Sequence, residues 1–193
     1  DSVRSSNRYL KRIRYGNQDS LLNETYQRSH YLSKEQIEDA TWMFEVVFDY
    51  GEHNLEFPQP IVTDDNGEGW AFRSDPFSNY RPGFEVRTTR LCQRVLMFHH
   101  FDDENGVGND CLVRSTNFKY SQPQDSENNT PVYTTLQEVS QIGCQRKESE
   151  EGTEYNGYLK RSMPPVEFTY SQPRVQDKVE ELDSKTLENL PTG

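Results

Sequence analysis

The run "WMFEVVFDYG" at 42–51 alternates large apolar residues with acids: Trp42, Phe44, Val46, Phe48 and Tyr50 share one parity, and Glu45 and Asp49 the other. Side chains alternate across an extended strand and wind around a helix, so this spacing describes a strand. The pattern predicts an aromatic face that is buried and an acidic face that is solvated. One such strand is not stable alone and demands a sheet of partners with matching patterns.

Those partners are legible. Residues 9–15 place Tyr9, Lys11, Ile13 and Tyr15 on one face, and Gly16-Asn17 then supplies a turn. Phe84 and Val86 resume the alternation, and by Val95 to Phe98 both parities are apolar, which predicts a strand covered on both sides. Further strands are expected over 111–120, 132–142 and 166–170, separated by "SQPQDSENNTP" and "KESEEGTEYNG". Between Pro58 and Pro82 the density of Pro, Gly, Asp and Asn predicts a long surface connection. "SKEQ" at 33–36 has capping-box spacing, with Ser33 set to cap the amide of Gln36 while Gln36 reaches back, and so predicts a short helical turn.

Roughly seven to nine strands fit this spacing. The expected class is mainly β, an antiparallel multi-strand sheet in a sandwich or shell-like arrangement with at most short helices. At 193 residues the chain holds one domain, and with aromatics at 12% its core should lean on Tyr, Phe and Trp. Past Pro173, Val175, Val179 and Leu182 fall at helical spacing among acids, so residues 1–173 are expected to form the β domain and 174–193 a linker or short helix leading onward. The words "FKYSQP" at 118–123 and "YLKR" at 9–12 return as "FTYSQP" at 168–173 and "YLKR" at 158–161, a weak sign of a repeated hairpin.

Charge narrows the partners. A net charge of −11, with "RYLKRIRY" the only basic run interleaved with aromatics, lacks the footprint of a phosphate-backbone binder, so nucleic acid is not expected as a partner. No stretch approaches the ~20 apolar residues of a membrane-spanning helix, and "DSVRSSNRYL" has no hydrophobic signal core. Cys92, Cys111 and Cys144 are odd in number and widely spaced, as expected of free thiols at strand positions. Sequons stand at Asn23 and Asn128.

Three patterns invite chemistry. "RLCQRVLMFHHFDDE" at 90–104 gathers Cys92, His99, His100 and three acids, but adjacent histidines on a strand point to opposite faces, and Cys92 and His100 would lie about 26 Å apart. Asp102, Asp103 and Glu104 precede the turn signature "NGVG" and read as solvated turn residues. In "DDNGEGWAFRSD", Asp64, Asn66, Glu68 and Asp75 stand at positions 1, 3, 5 and 12 of a calcium-loop pattern, with Glu at 5 and Asp at 12 departing from it. A solvated acidic turn is the simpler reading, since strand and coil, not helices, flank it. The order Arg87, Ser115-Thr116, Glu148-x-Glu150 resembles the motif order of ADP-ribosylating toxins, but the middle element is "STN" and the glutamates sit in an acidic turn. No Ser-His-Asp set, phosphate-binding glycine loop or CxxC is present. The reading therefore assigns no catalytic, cofactor-binding or metal residue beyond that calcium pattern, and no cofactor.

Longer words are more specific. "NRYLKRIRYGN", "WMFEVVFDYGEH", "DPFSNYRPGFEVRTTRLCQRVLMFHHF", "DCLVRSTNFKYS", "YLKRSMPPVEFTYS" and "LENLPTG", in this order, resemble the insecticidal toxin complex B component. The matching part is the later portion of its SpvB-type N-terminal region, just before an FG-GAP-like β-propeller. The resemblance implies a non-catalytic structural segment, part of a hollow β-shell that encloses a toxic effector. It implies as partners an Rhs-type C component and a pore-forming A component. It also implies secretion within the toxin complex after residence in the producing cell's cytoplasm. The acidic stretches 125–129 and 147–155 are longer than the resemblance leads one to expect. A secreted calcium- or carbohydrate-binding β module using the aromatic-rich loop from Trp70 to Tyr80 is the alternative, and an ADP-ribosyltransferase the third.

Overall fold

The computed structural model describes residues 8–28, 30–62, 70, 72–121, 133–148 and 155–171. Nine strands and one helix are present among them: β1 (Arg12–Asn17), α1 (Lys34–Asp39), β2 (Trp42–Asp49), β3 (Phe72–Asn79), β4 (Val86–Arg90), β5 (Arg94–Phe101), β6 (Gly108–Tyr120), β7 (Leu136–Glu148), β8 (Tyr155–Ser162) and β9 (Val166–Glu167). Seven strands form one antiparallel sheet in the order β1-β2-β5-β6-β7-β8, with β9 also pairing β7; β3 and β4 form a separate hairpin. The mainly β, antiparallel expectation holds. No helix among the described residues is long and apolar enough to cross a membrane.

The capping box forms as its spacing predicts. Gln36 N donates to Ser33 Oγ at 3.1 Å, and Ser33 N donates to Gln36 Oε1 at 2.9 Å, which satisfies two donors that a helix start leaves open. Without an apolar face to bury, α1 stops after six residues.

The faces of the sheet reverse the prediction. On β2 the buried side chains are Glu45, Val47 and Asp49, at 4%, 0% and 1% exposure, while Trp42, Phe44, Val46 and Phe48 are only half-buried. Register carries the same choice across the sheet: Val47 faces Leu96, Glu45 faces Phe98, and Asp49 faces Arg94. With Leu112 from β6, Val47, Leu96 and Phe98 make the small core, flanked by Cys144 and Tyr158. The expectation that Val95 to Phe98 is covered on both sides is corrected accordingly, because Leu96 and Phe98 are buried and Val95 and Met97 are half-buried.

The reversal follows from what covers the sheet. The covering element is irregular backbone, in the segment 50–61, where Tyr50, His53, Pro58 and Pro60 are buried. A loop brought against a sheet presents carbonyls that no ladder satisfies, so the face beneath must supply donors. Arg94 Nη2 donates to the carbonyls of His53 and Asn54 at 3.0 and 3.1 Å. Arg12 donates to Pro60 O, and Lys160 to Leu55 O and Glu56 O. Asp49 and Glu45 then balance Arg94 and Arg12, and the polar parity of β2 becomes the inner one.

Other boundaries moved. Gly16 and Asn17 belong to β1 and not to a turn; Gly16 adopts φ +67° where a side chain would meet the Phe44 ring. The predicted surface connection at 58–82 contains β3, with Pro76 in a hairpin strand that pairs on one side only, where a missing N–H is tolerated. The stretch 155–162, expected as turn followed by a repeated word, is β8. The two "YLKR" copies lie at opposite ends of the sheet order and make no stacked repeat: Tyr9 bonds Thr89, whereas Tyr158 accepts from Leu112 N. The second "FTYSQP" word begins beyond β9, so its strand is two residues long. The linker or short helix expected at 174–193 lies outside the described residues.

Candidate functional site

The ionisable groups gather under the 50–61 segment in two linked clusters. The first is built on the end of β2 and the turn after it. Asp49 Oδ1 accepts the amides of Gly51 and His53 at 2.8 and 3.3 Å, and Oδ2 accepts Arg94 Nε at 2.6 Å. Glu52 Oε2 accepts the Tyr50 amide at 2.7 Å, and Oε1 pairs with Lys11. His53 Nδ1 meets Gln59 O at 2.8 Å, and its Nε2 lies 2.7 Å from Lys11 Nζ. Facing a carbonyl, Nδ1 must carry the proton, and facing an ammonium, Nε2 must carry a lone pair. His53 is thereby held as one neutral tautomer.

The electrostatics match the contacts. Burial pushes the Asp49 carboxyl upward, but the Arg94 guanidinium and the two amides outweigh it and hold the group below its ordinary value. Burial lowers His53, and the Lys11 charge lowers it further. Asp49, Glu52 and His53 offer ligand atoms within 4.8 Å of one another, the spacing of a metal triad. The residues nevertheless do not fit a cation: Lys11 already stands on Glu52 and His53, and Arg94 on Asp49, so a metal would have to displace two fixed positive charges. The set is a charge-balanced anchor.

The second cluster surrounds Glu45. Arg12 Nε lies 2.6 Å from Oε1 as an ion pair without hydrogen-bond alignment, and Arg14 Nε and His100 Nε2 lie 3.6 and 3.4 Å from Oε2. His100 Nδ1 also approaches Asp110 at 3.2 Å and Asn109 at 2.8 Å. Hydrogen bonds to Asp110 and Glu45 raise His100 to about 9, so it is charged at neutral pH.

The sequence-predicted candidates separate. His99 turns to the open face, edge-on to Phe44 at 5.0 Å and Phe101 at 5.7 Å, while His100 turns to the covered face. Cys92 precedes β5, donates to Arg94 O, and is pushed by burial up to about 11, far from a thiolate nucleophile. Asp102, Asp103 and Glu104 form the exposed β5–β6 turn. Asp64, Asn66 and Glu68 lie outside the described residues. Asp75 sits on β3, where Arg73 Nε and Thr134 donate to its oxygens at 2.9 Å and 2.6–2.7 Å; burial raises it, but those bonds prevail and bring it to about 2. Arg87 is on β4, Ser115 and Thr116 are on β6, and Glu148 ends β7; Glu150 lies outside the described residues. The aromatic loop resolves into internal contacts, with Trp70 stacked on Tyr50 at 4.7 Å and Arg90 over Phe72 at 3.7 Å. Asn23 shapes its own turn by accepting from Thr25 and Gln27, and Asn128 lies outside the described residues.

Sequence reasoning missed Lys11, Glu45, Asp49, Glu52, His53 and Arg94. A usable signal was present: "KRIR" at 11–14 puts Arg12 and Arg14 on the parity that pairs with the acidic side of β2.

The opposite face is open. Tyr15 stacks on Phe44 at 5.0 Å, Phe101 meets Phe44 at 5.6 Å, and Ile13, Tyr15, Leu159 and Val166 are 42%, 40%, 57% and 58% exposed. Among the described residues this apolar sheet face stays half-exposed.

Comparison with known proteins places the chain beside a family of bacterial virulence proteins. The family model described as SpvB, Salmonella virulence plasmid 65kDa B protein, matches residues 1–101. Mono(ADP-ribosyl)transferase SpvB of Salmonella typhimurium (strain 14028s / SGSC 2262) is 41% identical over 135 residues, covering 69% of this chain and 20% of the relative. Its namesake from Salmonella choleraesuis (strain SC-B67) is 43% identical over the same length and shares. The solved N-terminal domain of effector protein SpvB from Salmonella typhimurium strain LT2 is 35% identical, with a TM-score of 0.49, over 70% of this chain and 38% of that one. The match spans about a fifth of the length of these curated relatives.

Proposed function

The chain belongs to the SpvB family of Salmonella virulence plasmid 65kDa B proteins, and on that premise we propose that it is a non-catalytic structural segment of a toxin-complex B component. In this reading it forms part of the wall of a β-shell that encloses a toxic effector, secreted as part of that complex. Its partners are an Rhs-type C component and a pore-forming A component. The observation that carries the reading is the asymmetry of the sheet: one face is sealed by the chain's own 50–61 segment, and the aromatic face is left half-exposed across β1, β2 and β5. A half-exposed aromatic face is a surface on which further structure can pack. The curated relatives are about five times as long as the segment they share with this chain, so the occupant is taken to be the remainder of the parent protein.

The ADP-ribosyl transfer named for the relatives is not assigned to this segment. Its buried acids are matched by Arg and Lys, and Ser115 bonds within its own strand to Asn117. A wall needs rigid, satisfied strands and no convergent polar cleft.

The test is co-expression of the full-length protein carrying this segment with an Rhs-type C component, followed by size-exclusion chromatography and negative-stain imaging. A stable hollow particle is expected. A compact monomer that ignores the C component would overturn the reading.

A further inference from the structure

The 18–41 connection does more than join β1 to β2. It folds back on itself at the Leu22–Arg28 bridge, held by the Asn23 side chain accepting from Thr25 N, Thr25 Oγ1 and Gln27 N. Between this loop and the end of β1 lies an open cleft of about 570 Å³. That size falls within the roughly 300–1,000 Å³ of small-molecule sites.

Its lining is unlike the rest of the chain. Arg14, Arg28 and the imidazole of His30 border it, and among the described residues no carboxylate does, in a protein of net charge −11. An adjoining recess of about 430 Å³ shares Arg28, Leu21 and Leu22 and is likewise free of acids. Arg28 forms no ion pair with any described residue, and Arg14 reaches Glu45 only at 3.6 Å. Arg14 is shared with the Glu45 cluster, so Arg28 is the charge left uncancelled by any described residue. Tyr15, Leu21, Leu32 and Trp42 provide an apolar surface beside these charges. Trp42 is itself positioned, its indole N–H donating to Ile37 O at 3.3 Å.

We propose that this cleft binds a small organic anion, a flat apolar body bearing a phosphate or carboxylate. The body lies against Trp42, Tyr15 and the leucines, and the oxyanion takes the Arg28 guanidinium with Arg14 and His30 at its side. A planar guanidinium suits such oxyanions because it presents two parallel donors. The site adjoins the open sheet face, with which it shares Tyr15 and Trp42, and it rests on the lining of the cleft alone.

The probe is phenyl phosphate, titrated into the 193-residue chain and followed by calorimetry and by the Trp42 indole N–H resonance. Inorganic phosphate serves as the charge-only arm. Saturable one-to-one binding that moves Trp42 is expected, with inorganic phosphate at least about tenfold weaker for want of the apolar contact. Arg28→Gln should weaken phenyl phosphate about tenfold, the loss of a charge-assisted hydrogen bond, and Arg28→Lys should restore part of it. Arg28 is exposed and has no ion-pair partner among the described residues, so neither variant threatens the fold. An unmoved Trp42 resonance, an unchanged affinity in Arg28→Gln, or inorganic phosphate binding as tightly as phenyl phosphate would each overturn the assignment.

Discussion

Arg94→Met tests whether the charged parity of β2 is the inner one. Arg94 is 8% exposed and Asp49 1%, and the pair is joined by Nε and Nη2 to Oδ2 at 2.6 and 2.5 Å. Methionine keeps most of the aliphatic stem and removes the charge. Asp49 would then be a buried carboxylate without its cation, and the His53 and Asn54 carbonyls would lose their donor. Removing one partner of a buried pair costs about 3–5 kcal/mol, whereas an exposed pair is worth about 0–1 kcal/mol. Had the aromatic parity faced inward, the pair would be of the exposed kind. The assay is urea unfolding of the parent, Arg94→Met, Asp49→Asn and the double variant. The double should cost less than the two singles summed, with a coupling of about 2 kcal/mol. The sign with pH is fixed as well. Asp49 is held below its ordinary value, so its contribution is present above the unfolded carboxylate pKa and lost as pH falls through the folded one. The cost of Arg94→Met is therefore largest at neutral pH and shrinks on acidification, as Asp49 protonates. A cost below about 1 kcal/mol, independent of pH, would refute the buried-charge account.

Further outcomes follow from the same contacts. His100 is raised to about 9, so its stabilisation is complete below the unfolded value of about 6.5 and is lost as pH climbs through 9. Asp110 is 46% exposed and screened, which limits the effect to about 1–2 kcal/mol, and His100→Gln should flatten the urea midpoint over that window. Phe98→Ala, in the closed core, should cost about 3–5 kcal/mol, and Phe44→Ala, on the open face, about half that or less in this chain; equal costs would contradict the assignment of faces. Burial raises all three thiols, so Cys92, Cys111 and Cys144 should resist Ellman's reagent at pH 8 in the native state and react on denaturation.

Strand existence was legible because a two-residue period needs only local sequence, and β2, β5 and β6 lie close to where the alternation puts them. The capping box at Ser33 and Gln36 was legible for the same reason, since its partners are three residues apart. β3 was hidden by Pro76 and a surrounding text of turn residues, and β8 by the glycine and acids at its start. β3 is tied through Asp75 to Thr134, distant in sequence, and β8 pairs with β7, the strand before it, across a stretch of acids and glycine that reads as turn. Likewise, no local pattern brings Lys11 to Glu52 and His53, or Arg12 to Glu45.

Parity is set locally: Phe44 and Val46 lie on one side of β2, and Glu45 and Asp49 on the other. Which side is inward was decided only in the tertiary structure. Hydrophobicity favours burying the aromatic side, but the element that covers the sheet is a loop whose carbonyls require donors, and Arg94, Arg12 and Lys160 are positioned to donate. Once Arg94 and Arg12 are drawn under that loop, Asp49 and Glu45 are drawn under with them, because an unpaired buried charge costs more than a half-exposed aromatic ring.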